Sequence, residues 1–403
     1  MMRSLFSGVS GLLVHQTRMD VIGNNIANVN TVGYKTSRVT FQDMLYQSLR
    51  AATAPSQDRG GTNPRQVGLG VQLGTIDVIH SPGNLQPTGI TTDLAIRGNG
   101  FFIVLEGDQQ FYTRAGVFDF DQEGWLVSKA SGMRVAGWNA VNGAVDTDKP
   151  VEAIRISSDH TLPARATTQV VLTGNLSAES AVEATVTRSI SVYDSLGRRQ
   201  EVLVTFTKAA DNQWDWAAKW NGTSVGSGQI TFTATGEYSG VNGTQVTFTP
   251  PGGAAPMTFD LDFESLTQYS GLSDVNVRSQ NGFPPGSLEE VRIDATGTIT
   301  GIFSNGLTQV LAQLATATFA NPGGLEQVGE TSFRASHNSG LPRIGTPGTA
   351  DRGFVASGTV EMSNVDLSEE FTQMIITQRG FQANSRIITT SDEMLQELVN
   401  LKR

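Results

Sequence analysis

The sequence predicts a mainly β protein, with two or more β-domains nested in one chain and N- and C-terminal α-helices pairing as a coiled-coil-like core. Three observations predict it. The middle of the chain alternates apolar and polar residues at period two, punctuated by Asn-Gly turns. Apolar residues recur every seven positions only near its two ends. Across the 403 residues, 38% hydrophobic and 16% charged residues with 44 Gly suit strands and tight turns better than a helical bundle.

In the first helix Leu5, Leu12, Met19 and Ile26 form one row, and Val9, Gln16 and Gly23 the interleaved row, giving the 3,4 spacing of a helical seam. Taken alone, this helix reads as an ordinary amphipathic helix packed on its own domain; the second such helix at the other end of the chain turns the reading to pairing. Asn24, Asn25 and Asn28, then Thr31 and Gly33, supply helix-ending and turn chemistry. Residues 36–75 are expected to form a linker or extended loop, because the polar run 50–65 contains Pro55 and Pro64 and has little to bury.

Strands are expected from Ile76 onward. Residues 92–105 read as strand, Asn-Gly turn, strand, and short strands follow at 111–120, 125–127 and 133–138. Between 151 and 285, shared faces are formed by Val186, Arg188, Ile190 and Val192, and by Val202, Val204 and Phe206. Two further faces are Trp214, Trp216, Ala218 and Trp220, and Met257, Phe259, Leu261 and Phe263. Asn-Gly pairs at 142–143, 221–222, 242–243, 281–282 and 305–306 mark hairpins, and Phe283-Pro284-Pro285-Gly286 marks a domain boundary. The expected organisation is an inner β-domain of 76–150 with 286–363, and an inserted outer β-domain of 151–285.

The period changes again near the end. Leu367, Met374, Phe381, Ile388 and Leu395 recur every seven residues, interleaved with Phe371, Gln378, Ser385, Asp392 and Val399, behind a capping pattern of Asp366 and Glu369. Residues 1–35 with 364–403 therefore form a terminal helical assembly domain. One row of each helix is apolar and its partner row largely polar or small, so the pair is expected to be weak alone and to order within a larger packing.

The net charge of −10 argues against nucleic acid and against an anionic membrane surface. The absence of cysteine removes disulfides, thiolate metal sites and cysteine nucleophiles. No apolar run is long enough to insert in a membrane. Residues 1–16 do not make a cleaved Sec signal, because Ser4, Ser7, Gly8, Ser10 and Gly11 break the apolar core.

Sites for chemistry fail one by one. Gly222-Thr223-Ser224-Val225-Gly226 has the nucleophile-elbow spacing but lies between strands rather than leading from a strand into a helix. Asp119, Asp121 and Glu123 resemble the front of a calcium loop whose last position is Ala130, where a bidentate Glu is needed. Asp260 and Asp262 share a solvated strand face. His15, His80, His160 and His337 are far apart in sequence. Gly98-Asn99-Gly100 lacks the further glycine of a phosphate loop. No catalytic residue, cofactor site or metal site is expected.

Ser10-Gly11-Leu12, then Met19-Asp20-Val21-Ile22-Gly23-Asn24-Asn25-Ile26-Ala27-Asn28 and Thr31-Val32-Gly33-Tyr34-Lys35, resembles the N-terminal signature of the bacterial flagellar rod and hook proteins. Residues 93–102 with Tyr112-Thr113-Arg114-Ala115-Gly116 look like that family's first β-domain. Glu361-Met362-Ser363-Asn364-Val365-Asp366 looks like its lead into the last helix, and Gln378 to Asn384 like its closing segment. Signature residues are therefore Asn24, Asn25, Ala27, Asn28, Thr31, Gly33, Tyr34 and Lys35. The added β-domain and Ser191-Val192-Tyr193-Asp194-Ser195-Leu196-Gly197 look like hook-type features, whereas distal-rod members are shorter with one β-domain.

The resemblance implies a structural subunit, not an enzyme, that polymerises with itself into the curved hook outside the cell and passes torque from rod to filament. It implies as partners the distal rod protein, the hook cap protein, the hook–filament junction protein and the flagellar export apparatus. The family's export pattern, Phe-x-x-x-apolar, places Leu5 at the Phe position, with Phe6 one residue off, so Leu5, Phe6 and Val9 are the candidate export signal. Hinge-like compliance is expected in the 50–65 run, and shortening it should stiffen or straighten hooks. A distal-rod or hook-associated protein is the near alternative and a secreted β-rich adhesin the distant one; a wall hydrolase would need a carboxylate pair that nothing singles out.

Overall fold

The computed structural model describes residues 2–55, 59–157, 159 and 161–401. Residues 56–58 of the polar run, and His160, lie outside the described residues. The chain divides into two units. The first takes in residues 1–157, 292–300 and 310–403, and the second 158–291 with 301–309.

The first unit holds both long helices, α1 (Met2–Ala27) and α2 (Leu367–Asn400). Asp366 caps α2, its carboxylate accepting from the amides of Ser368 at 2.8 Å and Glu369 at 3.3 Å. The chain does not trail into a linker after α1. Ser37–Asp43 pairs antiparallel with Val71–Val78, and Tyr46–Arg50 with Arg65–Gly68, so the expected loop of 36–75 is corrected to a long two-step hairpin. A bridge between Thr53 and Thr62 continues it toward the tip. The hairpin was hidden because its apolar residues (Leu45, Tyr46, Leu49, Leu73, Ile76) remain exposed, so burial does not impose a regular alternation on it.

Beyond the hairpin lies the β-body of the first unit. Its central strand, Phe101–Glu106, pairs with Gln109–Thr113, Arg134–Asn139 and Thr316–Thr318. Phe101, Tyr112, Phe319 and Phe333 meet edge to face in the core. The two strands expected over 92–105 do not pair with each other. Both strands exist, but Leu94–Arg97 pairs with Phe354–Ser357, because Gly98 and Gly100, at φ +111° and +127°, turn the chain away instead of folding it back. Leu85–Pro87 pairs with Thr359–Glu361, which leads into α2.

The second unit is a two-sheet sandwich. A meander runs through Thr185–Tyr193, Arg199–Ala210, Gln213–Trp220, Thr223–Phe232 and Tyr238–Asn242. The facing sheet orders Gln245–Phe248, Met257–Thr267, Gln169–Asn175 and Asp274–Gln280, its two middle strands parallel. The inward faces are those read from period two: Trp214, Trp216, Ala218, Val202, Val204, Phe206, Phe259, Leu261 and Phe263 share one core. Asn221 and Gly222, both at positive φ (+47° and +83°), close a two-residue turn, which confirms the Gly222–Gly226 stretch as hairpin rather than elbow. The Pro284-Pro285 break is internal to this unit: Phe283 pairs with Arg165, and the Asn305 amide donates to the Pro284 carbonyl at 3.0 Å.

Candidate functional site: the junction of the terminal segments

α1 and α2 pack along a row different from the expected one. Ser4 meets Ser391 (Oγ–Oγ 3.4 Å), Gly8 lies against Ile388 and the Asn384 carbonyl, and Gly11 lies against the Asn384 amide. Further along, His15 lies against Gly380, Arg18 donates to Gln373, and Asn25 donates to Glu370 at 2.9 Å. The contact row thus runs through Ser4, Gly8, Gly11, His15, Arg18 and Asn25, one position before members of the two predicted rows in the same helix. In α2 it runs through Glu370, Gln373, Gly380, Asn384 and Ser391, one position before members of the two predicted rows, with Ile388 of the apolar row reaching in against Gly8.

Within the chain, then, the expected seam is corrected except at Ile388, which does lie in the contact, against Gly8. Leu5, Leu12, Met19, Ile26, Met374 and Leu395 flank the contact half-buried, while Val9, Leu367, Phe371 and Phe381 are exposed. The physical reason is size. A Cβ on Gly11 would sit 2.7 Å from the Asn384 amide nitrogen, and one on Gly380 2.6 Å from the His15 ring. Glycines allow the axes to approach, and the approach places small and polar side chains where an apolar heptad reading puts leucines. Of the candidate export residues, Phe6 is 64% exposed and Val9 38%, with Leu5 half-buried beside the seam.

Below the seam the signature residues build a polar node. Asn25 is buried with its amide fully used: Nδ2 donates to the Ser37 carbonyl (2.8 Å) and to Glu370, and Oδ1 accepts from Tyr34 Oη (3.0 Å) and the Ser37 amide (3.0 Å). Asn28 donates to the Asn24 carbonyl and side chain and accepts from Thr31 Oγ1 at 3.0 Å. Asn24 and Ala27 are exposed. Gly33 sits at φ +72°, and a Cβ there would stand 2.5 Å from the Ala115 amide, so the turn admits only glycine on both counts.

That turn delivers Lys35 into a buried box of charges. Lys35 Nζ donates to Glu361 Oε1 at 2.5 Å and to the Ser81 carbonyl at 2.7 Å. Arg114 donates to Glu361 Oε2 at 3.2 Å and to the Gly98 carbonyl at 2.8 Å, and the Gly83 amide donates to Glu361 at 2.9 Å. The side chains of Lys35, Glu361 and Arg114 are 0%, 0% and 3% exposed. Burial lowers the pKa of Lys35 and of Arg114, and the Glu361 carboxylate opposes both shifts. His80 stacks edge-on against Phe101 and Phe333, and burial, followed by the charges of Lys35 and Arg114, pushes it down to about 4.

Lys35 was nominated from the sequence; Arg114, Glu361 and His80 were not. For two of them a signal is present: Arg114 is the one charge in Tyr112–Gly116, and Glu361 opens the motif that ends at the helix cap Asp366. Among the described residues no group of three or more His, Asp or Glu is arranged to hold a metal.

Four stretches match family descriptions. Residues 5–35 match "Flagella basal body rod protein" and 95–176 "Flagellar hook protein FlgE/F/G D1 domain". Residues 157–283 match "Flagellar basal body protein FlaE D2 domain" and 356–401 "Flagellar basal body rod FlgEFG protein C-terminal". The chain is 43% identical to the flagellar hook protein FlgE of Borreliella burgdorferi and 40% identical to that of Treponema pallidum, with all of each chain covered. The chain belongs to the flagellar hook protein family.

A relative named for the rod, the flagellar basal-body rod protein FlgG of Bacillus subtilis, is 34% identical with both chains fully covered. The crystal structure of Helicobacter pylori flagellar hook protein FlgE2 shares the fold of this hook-family chain. It superposes with a TM-score of 0.51 at 15% identity, covering 70% of this chain and 99% of that one.

Proposed function

We propose that the chain is the subunit that polymerises into the curved tubular hook, the flexible joint that transmits torque from rod to filament. The observation that carries this reading is the unsatisfied surface of the terminal helices. In the 34 residues of α2 only Thr377 and Ser391 are buried, while Phe371, Ile375, Ile376, Met394, Leu398 and Val399 are exposed. On α1 the row Met2, Phe6, Val9 and Leu13 is exposed as well. A helix pair with this much apolar surface in water is incomplete, and further copies of the same pair would cover it. Subunits joined through contacts that do not close grow into a helical tube.

Of the rows nominated from the sequence, the exposed members Val9, Leu367, Phe371 and Phe381 thus lie on the assembly faces between copies. The distal rod protein, the hook cap protein, the hook–filament junction protein and the export apparatus are the partners at the ends of the polymer and on the way to it. Leu5, Phe6 and Val9 form the export signal. Its role is structural rather than enzymatic.

Electron microscopy of basal bodies from a strain lacking the protein tests this. The expected result is a completed rod with no hook beyond it. A truncated rod would favour the second reading, a distal-rod role, which the rod-named relative supports. Intact hooks and filaments would overturn both.

A further inference from the structure

The charge box joins three segments far apart in sequence, yet its members are not equivalent. Arg114 is held by the β-body itself: its guanidinium donates to the carbonyls of Ile96 and Gly98, on and just beyond the strand Leu94–Arg97. Glu361 ends the strand Thr359–Glu361, in register with Leu85, and accepts from the Gly83 amide. Lys35 alone comes from the turn that follows α1, and its other acceptor, the Ser81 carbonyl, also belongs to the body.

The geometry points to a socket and a plug. We propose that Glu361, the Ser81 carbonyl and Arg114 form a preorganised socket in the β-body, and that Lys35 is the plug that locks the N-terminal helical segment onto it. Charge arithmetic separates the roles. With all three residues the box carries one net positive charge. Without Lys35 it retains a neutral, hydrogen-bonded Arg114–Glu361 pair, whereas without Glu361 it retains two buried cations and no anion.

The plug therefore acts on position rather than on body stability. It fixes the turn at Gly33, whose amide donates to the Glu361 carbonyl at 2.8 Å, and the Asn25–Tyr34–Ser37 node directly above it. From that node α1 and the hairpin from Ser37 set out. A plug that seats only after both body strands are in place makes helix docking a late step, following Arg114 and Glu361.

The test compares Lys35→Met, Lys35→Arg and Glu361→Gln in the full-length monomer. Global unfolding is followed by tryptophan fluorescence, and local opening by hydrogen exchange and limited proteolysis. Lys35→Met is expected to leave the main unfolding transition in place while exchange at the amides of Gly33, Tyr34 and Ser37 accelerates by about tenfold or more, roughly one charge-assisted bond. Cleavage within residues 28–36 should rise in parallel. Lys35→Arg should restore much of the protection, and Glu361→Gln should lower the unfolding transition as well.

Equal loss of global stability in Lys35→Met and Glu361→Gln would overturn the proposal, because all three charges would then be one structural unit. Unchanged exchange at 33–37 in Lys35→Met would overturn it as well. These readouts are taken on monomers and do not depend on hook assembly, so their outcome stands apart from that of the hook reading.

Discussion

The sandwich of the second unit and the pair of terminal helices are built on opposite principles. In the sandwich, Trp214, Trp216, Phe206, Phe259 and Phe263 are fully buried against one another, so its core is complete within one chain. The helices bury glycines, serines and amides at their mutual seam and leave Phe6, Leu13, Phe371, Ile375 and Ile376 in water. One region is stable by its own packing. The other is held by polar locks at its base and keeps its apolar surface for other copies. A subunit of a helical polymer needs both: a body with a core of its own, and ends that complete their packing in the tube.

The comparison can be broken at its strongest point first. Trp216→Ala removes a large side chain from the closed core and should cost the second unit about 3–5 kcal/mol. Urea denaturation of the monomer would measure it, and hydrogen exchange of α1 and α2 should not change. His80→Phe addresses the β-body beside the charge box. With its folded pKa at about 4, below the ordinary 6.5, the folded state resists a proton that the unfolded chain accepts. Stability present above pH 6.5 is therefore lost as pH falls toward 4, by roughly 2–3 kcal/mol, and the variant should flatten that slope.

Gly11→Leu forces the Asn384 side chain out of the seam and should cost the helix pair about 1–3 kcal/mol while leaving the sandwich unchanged. Glu330→Asn with Thr331→Gly relaxes a two-residue turn whose residues sit at φ +50° and +56°, and should stabilise the first unit by about 1 kcal/mol in a thermal melt. Phe371→Ser sharpens the contrast most, because its effect on the monomer is smallest. The exposed position should shift monomer stability by no more than about 0.5 kcal/mol, yet polymer recovered by sedimentation should be lost.

The two regions also differ in how far they could be read from sequence. The strands Gln213–Trp220 and Met257–Thr267 were legible because a period-two apolar face has one use, burial in the same chain. In α1 the row Leu5, Leu12, Met19 and Ile26 was equally visible, but the internal seam is lined by Gly8, Gly11 and Asn25, which carry no hydropathic signal. Apolarity marks what is eventually buried without saying against which copy. The long hairpin from Ser37 to Val78 escaped for the same reason, its apolar side chains being exposed in the single chain. The charge box was half legible: Lys35 lay in the signature, but nothing in sequence spacing joins residues 35, 114 and 361. Only the pairing of Leu85–Pro87 with Thr359–Glu361 brings the last of them into place.

The central claim is that the terminal helices complete their packing only against other copies. Hydrogen exchange of α2 in monomers and in assembled hooks, with the strand Arg199–Ala210 as the internal reference, tests it most directly. The account predicts fast exchange along 371–399 in the monomer, slow exchange there in the polymer, and equal protection of the reference strand in both. Protection of α2 in the monomer as strong as that of the reference strand would contradict it.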